Sequence, residues 1–303
     1  HNLYPSRANA LGPTEKALAS WSSLRLRSGP FGPVVRGGDV CVMMHQGRRG
    51  VMGVNMSDRV GQDTPQLGES RIGGEEVWQM FDRIAQRYDL LNRVLSVGRD
   101  VAWRKRLGAF LPEGEDLRVL DLATGTADVL LTIARTGRLL AGMGVDKAPR
   151  MLAIAKRKIQ RAKRNGTLCL VQGDAMQLGV RDGNFHAATM AFGIRNTAEP
   201  MRVLKDICRV LRPGGRIIVL EFSLPPKRVV RSVYLYYLRH VVPWLGGLIS
   251  GDKAAYRYLN RTVEQFLYGE AFCRLLEEAG FVNVRGHALT LGIATVYVGD
   301  KPL

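Results

Sequence analysis

The chain has 303 residues, of which 46% are hydrophobic and 23% are charged. These fractions are ordinary for a globular protein, and they exclude a chain that is mostly disordered or of low complexity. Its 44 basic and 27 acidic side chains give a net charge of +17, which favours anionic partners such as nucleic acid, anionic lipid or phosphorylated ligands.

Residues 1–74 are predicted to form a basic, poorly structured extension. They are rich in Gly, Ser and Arg, and no apolar periodicity persists in them. An organelle transit peptide has this composition. A disordered tail fits it equally, as does upstream sequence read from a start placed before Met52 or Met56, and we favour these two interpretations over the transit peptide.

From residue 75 onward the pattern is that of one folded domain, 75–303. Apolar residues at helical spacing predict a first helix over 75–88. Further strands are predicted at 118–122, 143–146, 168–172, 186–192 and 216–222, and helices after the first strand to 135 and at 148–164, 200–211 and 268–279. The runs 282–287 and 294–299 are close enough to form a hairpin. Repeated alternation of strand and helix predicts a parallel sheet with helices on both faces, to which the hairpin adds one antiparallel strand.

The turn after the first of these strands carries the first chemical signal, because ligands of such sheets lie beyond the carboxyl ends of the strands. It contains one glycine, Gly125, where a dinucleotide fingerprint has three. Carboxylates at Asp121 and Asp128 suit a ligand with a positive centre better than one with phosphates. Asp146 ends the second strand about 20 residues further on, where an acid binds the hydroxyls of a ribose. A ribose with a cationic group indicates S-adenosylmethionine, while NAD and, for Asp128, a helix cap stay open as alternatives.

The third strand ends at the same edge of the sheet with Asp174 and Ala175. The carboxylate can accept a hydrogen bond from an adenine amino group, and the Ala175 N–H can donate one to the ring. Capping of a helix is an equally good interpretation of Asp174. The four cysteines and five histidines are widely spaced, so that no metal site is predicted.

Four segments resemble the ubiquinone/menaquinone-biosynthesis C-methyltransferases (the UbiE/MenG family). They are 88–96 (YDLLNRVLS) followed by Trp103, 192–196 (FGIRN), 209–222 (RVLRPGGRIIVLEF) and 251–259 (GDKAAYRYL). The resemblance covers residues 75–302. It implies a class I, Rossmann-like methyltransferase fold, with a seven-stranded, mostly parallel α/β sheet whose last strand is antiparallel.

The same resemblance implies methyl transfer from S-adenosylmethionine to a ring carbon of a prenylated quinol. Family cofactor positions fall on Thr126, Asp146, Asp174 and Ala175, and a further one, usually Ser, is Ala191 here. Together with the turn, the predicted cofactor-binding set is Asp121, Gly125, Thr126, Asp146, Asp174, Ala175 and Ala191.

A ring carbon becomes nucleophilic when a neighbouring hydroxyl loses its proton, so the site needs a base or a stabiliser of the phenolate. We predict Arg195, directly after the fourth strand, as the stabiliser, with a surface salt bridge as its alternative role. Asn196 is predicted to orient the hydroxyl or a water. Tyr88 and Asp89 end the amino-terminal helix, and Asp89 is either the base or a structural contact.

The isoprenoid tail of such a substrate needs an apolar channel. The apolar segment 234–249 is its predicted wall, with a core helix as an equally good interpretation. Reaching a lipid substrate favours peripheral contact with membrane lipid, and basic residues within 156–164 can face anionic lipid or solvent. Assembly with itself or with other quinone-pathway enzymes stays open.

Demethylmenaquinol is the preferred substrate, because the block after the fifth strand looks more like that of bacterial menaquinone-pathway members. A ubiquinone-pathway benzoquinol is the alternative, followed by an RNA methyltransferase or a non-catalytic subunit. We expect no nucleic-acid partner, because FGIRN stands where a base-stacking motif would follow the fourth strand. The expected location is the bacterial cytoplasm at the inner face of the membrane, with mitochondria as the alternative.

Overall fold

The structure is a computed structural model and describes residues 42–44, 74–250 and 253–303. The predicted division into an extension (1–74) and a folded domain (75–303) stays a prediction, because almost all of the extension lies outside the described residues. The same holds for residues 251 and 252 of the last family-like segment.

One sheet runs through the part of the chain that the structure describes. Its strands are β1 (Val42–Met44), β2 (Leu117–Leu122), β3 (Leu139–Asp146), β4 (Leu168–Gln172), β5 (Phe185–Ala191), β6 (Leu211–Phe222), β7 (Val282–Leu289) and β8 (Ala294–Asp300). They lie in the order β1-β4-β3-β2-β5-β6-β8-β7. β8 pairs antiparallel with β6 and β7, and every other pairing is parallel. The predicted seven-stranded sheet with its antiparallel last strand is confirmed, and β1 adds one short parallel strand beside β4.

The helices connect these strands or cover one edge of the sheet. They are α1 (Gly74–Leu95), α2 (Arg99–Leu107), α3 (Asp128–Ala134), α4 (Pro149–Arg161), α5 (Pro200–Val210), α6 (Arg228–Tyr236), α7 (Val242–Ser250), α8 (Lys253–Gln265) and α9 (Glu270–Glu278). A single π turn, Tyr237–Val241, joins α6 to α7. Pro243 follows it and has no N–H to donate to the carbonyl four residues back, which favours a wider turn there.

Alternation along the strands divides the core into two layers, because successive side chains of a strand point to opposite faces. On one face Leu120 and Leu122 pack with Ile207 of α5 and Leu276 of α9. On the other face Val119 belongs to a second cluster that includes residues of α2 and α3. Both faces of the sheet are therefore covered, as the continuous apolar strands predict.

A separate apolar cluster holds α1 against α6, α7 and α8. Its buried members include Leu91, Tyr234, Leu238, Val242 and Val263. No helix among the described residues is long and apolar enough to cross a membrane. The helices of this cluster lie beside the carboxyl ends of β5 and β6, and this arrangement creates the space described next.

Candidate functional site

The buried carboxylate of Asp121, at the end of β2, stabilises the turn between β2 and α3. Ala123, Gly125 and Ala127 all have positive φ angles, of 48°, 54° and 64°. Asp121 is 1% exposed and accepts hydrogen bonds of 2.6 Å from the hydroxyls of Thr124 and Thr189. Burial raises the pKa of Asp121 to about 6, although these two hydroxyls oppose the shift. Asp121 thus fixes the turn, and it lines neither of the two cavities described below.

The carboxylate at the end of β3 binds the exposed side of the same turn. Asp146 accepts the N–H of Gly125 at 2.7 Å and the N–H of Ala148 at 2.9 Å. Burial raises the pKa of Asp146, and these N–H donors oppose that rise. Gly125 is in the left-handed region that favours glycine, and a Cβ built there would lie 3.9 Å from the Tyr88 ring.

A cavity of about 140 Å³ lies between this turn, the ends of β3, β4 and β5, and α1. We call it the rim cavity. Its lining contains five of the predicted cofactor residues, which are Gly125, Asp146, Asp174, Ala175 and Ala191. Of its described lining residues, Lys147 is the only cation, and it pairs with Asp174 at 3.2 Å. An acid beside apolar walls, without free positive charge, fits a ribose and a purine ring rather than phosphates.

Asp174 has a local partner as well. Its carboxylate accepts the N–H of Met176 at 2.9 Å, but Asp174 precedes a turn, and the described residues between β4 and β5 form no helix. Asp174 also lines the rim cavity, and it caps no helix in the described part of the chain, contrary to the alternative prediction. Among the described residues, no group of three or more His, Cys, Asp and Glu is placed to hold a metal ion.

Thr126 and Asp89 lie behind the rim cavity in a charged cluster. The Thr126 hydroxyl donates to Asp89 at 2.7 Å. The Lys158 ammonium of α4 lies 2.5 Å from Asp89 and 2.6 Å from Asp128. Neither Thr126 nor Asp89 lines the rim cavity or the larger cavity described next. The contacts of Asp89 are those of a structural link from α1 to the turn, because its charge is already matched by Lys158.

A second cavity of about 510 Å³ lies among α1, α2, α6, the start of α7, α8 and the ends of β5 and β6. We call it the apolar cavity, since aliphatic and aromatic side chains form most of its walls. Phe81, Tyr88 and Phe192 line both cavities. The two spaces therefore adjoin at these three rings, and the predicted site residue Tyr88 is one of them.

A buried ion pair lies at the wall of the apolar cavity. Arg195 is almost fully buried, and its guanidinium lies 2.7 Å from both the Phe192 carbonyl and the Glu221 carboxylate. Its guanidinium carbon is 5.2 Å from the centre of the Phe222 ring. Burial raises the pKa of Glu221, while the charge of Arg195 acts against that rise. Arg195 is thus not a surface salt bridge, and it faces the cavity.

Asn196 lines the rim cavity, one residue from Arg195. Its side-chain amide donates to the Phe192 carbonyl at 3.2 Å, and its oxygen accepts the hydroxyl of Tyr258 at 3.2 Å. The predicted pair is therefore divided, with one side chain in each cavity.

Sequence reasoning missed two residues at the apolar cavity, which are Tyr234 in its wall and Glu221, the partner of the wall residue Arg195. Glu221 is an acid within the apolar strand β6, which is a signal that the pattern offered. Tyr234 was seen only as part of the apolar segment 234–249. Residues of that segment line the apolar cavity and also belong to the apolar cluster, so that both predicted interpretations describe it.

Comparisons with known proteins agree with this geometry. The model of the ubiE/COQ5 methyltransferase family matches residues 68–301. A demethylmenaquinone methyltransferase of Thermus thermophilus is 47% identical over 223 residues, which cover 74% of this chain and 100% of that protein. The ubiquinone/menaquinone biosynthesis C-methyltransferase UbiE of Geotalea daltonii is 41% identical over 229 residues, which cover 75% and 97%.

Solved structures share the fold. A SAM-dependent methyltransferase from Thermotoga maritima matches with a TM-score of 0.53 and 21% identity, over 74% of this chain and 99% of that one. The [4+2]-cyclase SpnF matches with a TM-score of 0.52 and 17% identity, over 76% and 96%. Because a cyclase and a methyltransferase have this fold in common, the fold alone does not fix the reaction.

Proposed function

The chain belongs to the ubiE/COQ5 methyltransferase family, and from that premise we propose that it methylates a ring carbon of demethylmenaquinol with S-adenosylmethionine. The products would be menaquinol and S-adenosylhomocysteine. Relatives named demethylmenaquinone methyltransferase, from Thermus thermophilus, Deinococcus radiodurans and Thermotoga maritima, support this choice of substrate. Neither a ubiquinone-pathway benzoquinol nor an RNA substrate is favoured.

The observation that carries this proposal is the contact between two cavities of opposite character. The rim cavity offers Asp146 and Asp174 to a nucleoside, and the apolar cavity has room for an aromatic ring with an isoprenoid tail. When bound, S-adenosylmethionine would supply an electrophilic methyl group. The ring carbon would form a bond to this methyl group as the bond between methyl and sulfur breaks, and the ring carbon would then lose its proton. Tyr88 and Phe192 lie where the two ligands would meet.

The residues at this meeting point would control charge and orientation. Negative charge grows on the ring oxygen beside the attacking carbon, and the guanidinium of Arg195 supplies the opposite charge in a water-poor site, where such contacts are strong. Glu221 fixes the guanidinium through its 2.7 Å contact. Asn196, held by Phe192 and Tyr258, would orient the cofactor side of the same junction.

The test supplies the purified protein with S-adenosylmethionine and one reduced substrate at a time, and follows product mass. We expect demethylmenaquinol to gain one methyl group, and a demethylated ubiquinone-pathway benzoquinol to react more slowly. Methylation of the benzoquinol alone would overturn the choice of substrate. No methylation of either quinol by protein that binds S-adenosylmethionine would overturn the reaction.

We also propose that the outer face of α6 and α7 binds an anionic membrane. Large apolar side chains on this face are mostly exposed, namely Val229, Val233, Tyr236, Trp244 and Leu248. Exposed Lys227 and Arg228 lie at the start of α6, and basic groups beside an apolar face suit anionic lipid. Val233 also lines the apolar cavity, which gives an isoprenoid tail a short way from the bilayer to the reacting centre.

Flotation with lipid vesicles tests this surface. The protein should float with vesicles of phosphatidylglycerol and phosphatidylethanolamine, and less with purely zwitterionic vesicles. Trp244→Glu should reduce flotation, whereas the matched control Leu303→Glu, at an exposed site outside the patch, should not. Equal flotation of the two variants would remove this face from membrane binding.

The bacterial relatives and this surface together support a proposed location at the inner face of a bacterial cytoplasmic membrane. Fractionation of cells that express the chain should place it with membranes and release it in high salt. Recovery from mitochondria would overturn this location.

A further inference from the structure

Two residues of the apolar cavity wall, Arg195 and Tyr234, and Glu221, which pairs with Arg195, have buried polar atoms with incomplete hydrogen bonding. The Arg195 Nε, one Glu221 carboxylate oxygen and the Tyr234 hydroxyl are buried and have no hydrogen-bond partner among the described residues. Tyr234 is 7% exposed and lies on α6. Leaving a buried polar group unpaired costs about 1–3 kcal/mol, so such groups are rare, and a catalytic or binding role is one explanation for them.

Neighbouring tyrosines show that this is not a general property of the wall. Tyr237 lines the same cavity and donates its hydroxyl to the Leu95 carbonyl at 2.9 Å. Tyr258 also lines it and donates to Asn196 at 3.2 Å. Tyr234 is the member of these three that has no such partner in the described part of the chain. Its hydroxyl is therefore the one that is not used to hold the helices together.

The electrostatic surroundings of Tyr234 keep its hydroxyl protonated. Burial raises the pKa of Tyr234, the negative charge of Glu221 raises it further, and the positive charge of Arg195 opposes both. A phenol that does not ionise is a hydrogen-bond donor rather than a base. Next to Arg195 it would add a second donor for an oxygen that carries negative charge, which is the group that ring methylation creates.

We propose that the Tyr234 hydroxyl donates a hydrogen bond to a ring oxygen of the quinol and so binds the reacting ring in the apolar cavity. This inference rests on the proposed function, because it assigns the substrate of that reaction to this wall. Tyr234 transfers no proton in it. The bond strengthens as charge develops on the oxygen, since hydrogen bonds to charged groups are stronger than neutral ones.

The test compares Tyr234→Phe with the matched control Tyr237→Phe. Tyr234→Phe should lower kcat by about 10- to 100-fold with demethylmenaquinol, the range for a hydrogen bond to a charged group. It should leave the Kd for S-adenosylmethionine unchanged and should not lower Tm, because the lost hydroxyl has no protein partner. Tyr237→Phe should lower Tm, because it loses the bond to Leu95, and should change kcat far less.

Two outcomes would overturn this inference, and they are separate from failure of the proposed function. A Tyr234→Phe variant with kcat within about twofold of wild type would remove the contact, although the reaction would stand. If the wild type methylates neither quinol, calorimetry with 1,4-naphthoquinol as the probe decides. Weaker binding of that probe by Tyr234→Phe than by wild type would support the contact, and equal binding would overturn it.

Discussion

The rim cavity and the apolar cavity meet at three aromatic rings, yet they are built in different ways. The rim cavity is formed mainly by strand ends and the turns after them, and its polar groups bind backbone N–H donors such as those of Gly125 and Ala148. The apolar cavity is formed mainly by side chains of α1, α2, α6 and α8. Sheet topology therefore positions the polar groups of the first, while the second depends on helices far apart in sequence packing together.

Loss of Arg195 should have the largest effect, because it removes half of a buried ion pair. Arg195→Ala leaves Glu221 charged and buried, which typically costs about 3–5 kcal/mol of unfolding free energy. It should also lower kcat by about 10²–10³, as loss of one electrostatic contact does. Chemical unfolding and steady-state kinetics measure the two effects.

Two variants control this experiment. Arg195→Lys keeps a charge but not the planar guanidinium, and should recover only part of each loss. Arg202→Ala removes an exposed arginine, which lies 3.5 Å from Glu199, and should change stability by less than about 1 kcal/mol. If Arg195→Ala behaved like Arg202→Ala, the apolar cavity would not depend on its ion pair.

Asp121, the buried carboxylate beneath the turn of the rim cavity, should make protein stability depend on pH. Burial raises the pKa of Asp121 from 3.8 to about 6, so the folded state holds this proton more tightly than the unfolded chain. Its contribution to stability is complete below pH 3.8 and is lost as the pH rises through about 6. Asp121→Asn does not titrate, so its stability relative to wild type should increase between pH 4 and 7, by on the order of 3 kcal/mol.

Chemical unfolding of both proteins at several pH values gives this difference directly. Measuring wild type and variant side by side cancels the titration of every other group. A difference that stays constant from pH 4 to 7 would show that the carboxylate under the turn titrates normally.

A variant of Asp146 should affect the ligand of the rim cavity and not the ligand of the apolar cavity. Asp146→Ala should weaken binding of S-adenosylmethionine by about 1.5–3 kcal/mol, the range for hydrogen bonds to a charged group, and should leave binding of 1,4-naphthoquinol unchanged. Calorimetry with each ligand measures this. Glu199→Gln, which removes an exposed acid, is the control and should change neither. Unchanged affinity for S-adenosylmethionine in a folded variant would show that Asp146 does not bind this cofactor.

The sequence predicted the rim better than the apolar cavity for a physical reason. Parallel strands end at one edge, so Asp146 and Asp174 were predicted to meet from chain order alone, while Ala191 was implied by the family resemblance. Glu221 also lies at the carboxyl end of a parallel strand, next to β5, but chain order does not show that its side chain turns toward Arg195. The roles of Asp89 and Tyr234 likewise depended on which hydroxyls and charges the packed helices had already matched.

The smallest predicted effect concerns His186, at the opposite edge of the sheet, where the change of stability with pH should have the opposite sign to that of Asp121. His186 lies near the amino end of β5, and its Nδ1 accepts the N–H of Arg118 at 3.1 Å. Burial and the positive charges of Arg212 and Arg118 lower the pKa of His186 from 6.5 to about 4. The unfolded chain therefore takes up this proton first, and the contribution of His186 to stability is complete above pH 6.5 and is lost as the pH falls toward 4.

His186→Asn keeps an acceptor for the Arg118 N–H and does not titrate, so its stability relative to wild type should increase as the pH falls from 6.5 to 4. The change should be smaller than for Asp121→Asn, because the side chain is only half-buried and solvent screens its charge. Unfolding measurements across this range give the slope. Binding of S-adenosylmethionine and kcat at pH 7 should stay at wild-type values, since His186 lies at the edge remote from both cavities. A slope of the same sign as for Asp121→Asn would contradict the distinction between the two edges.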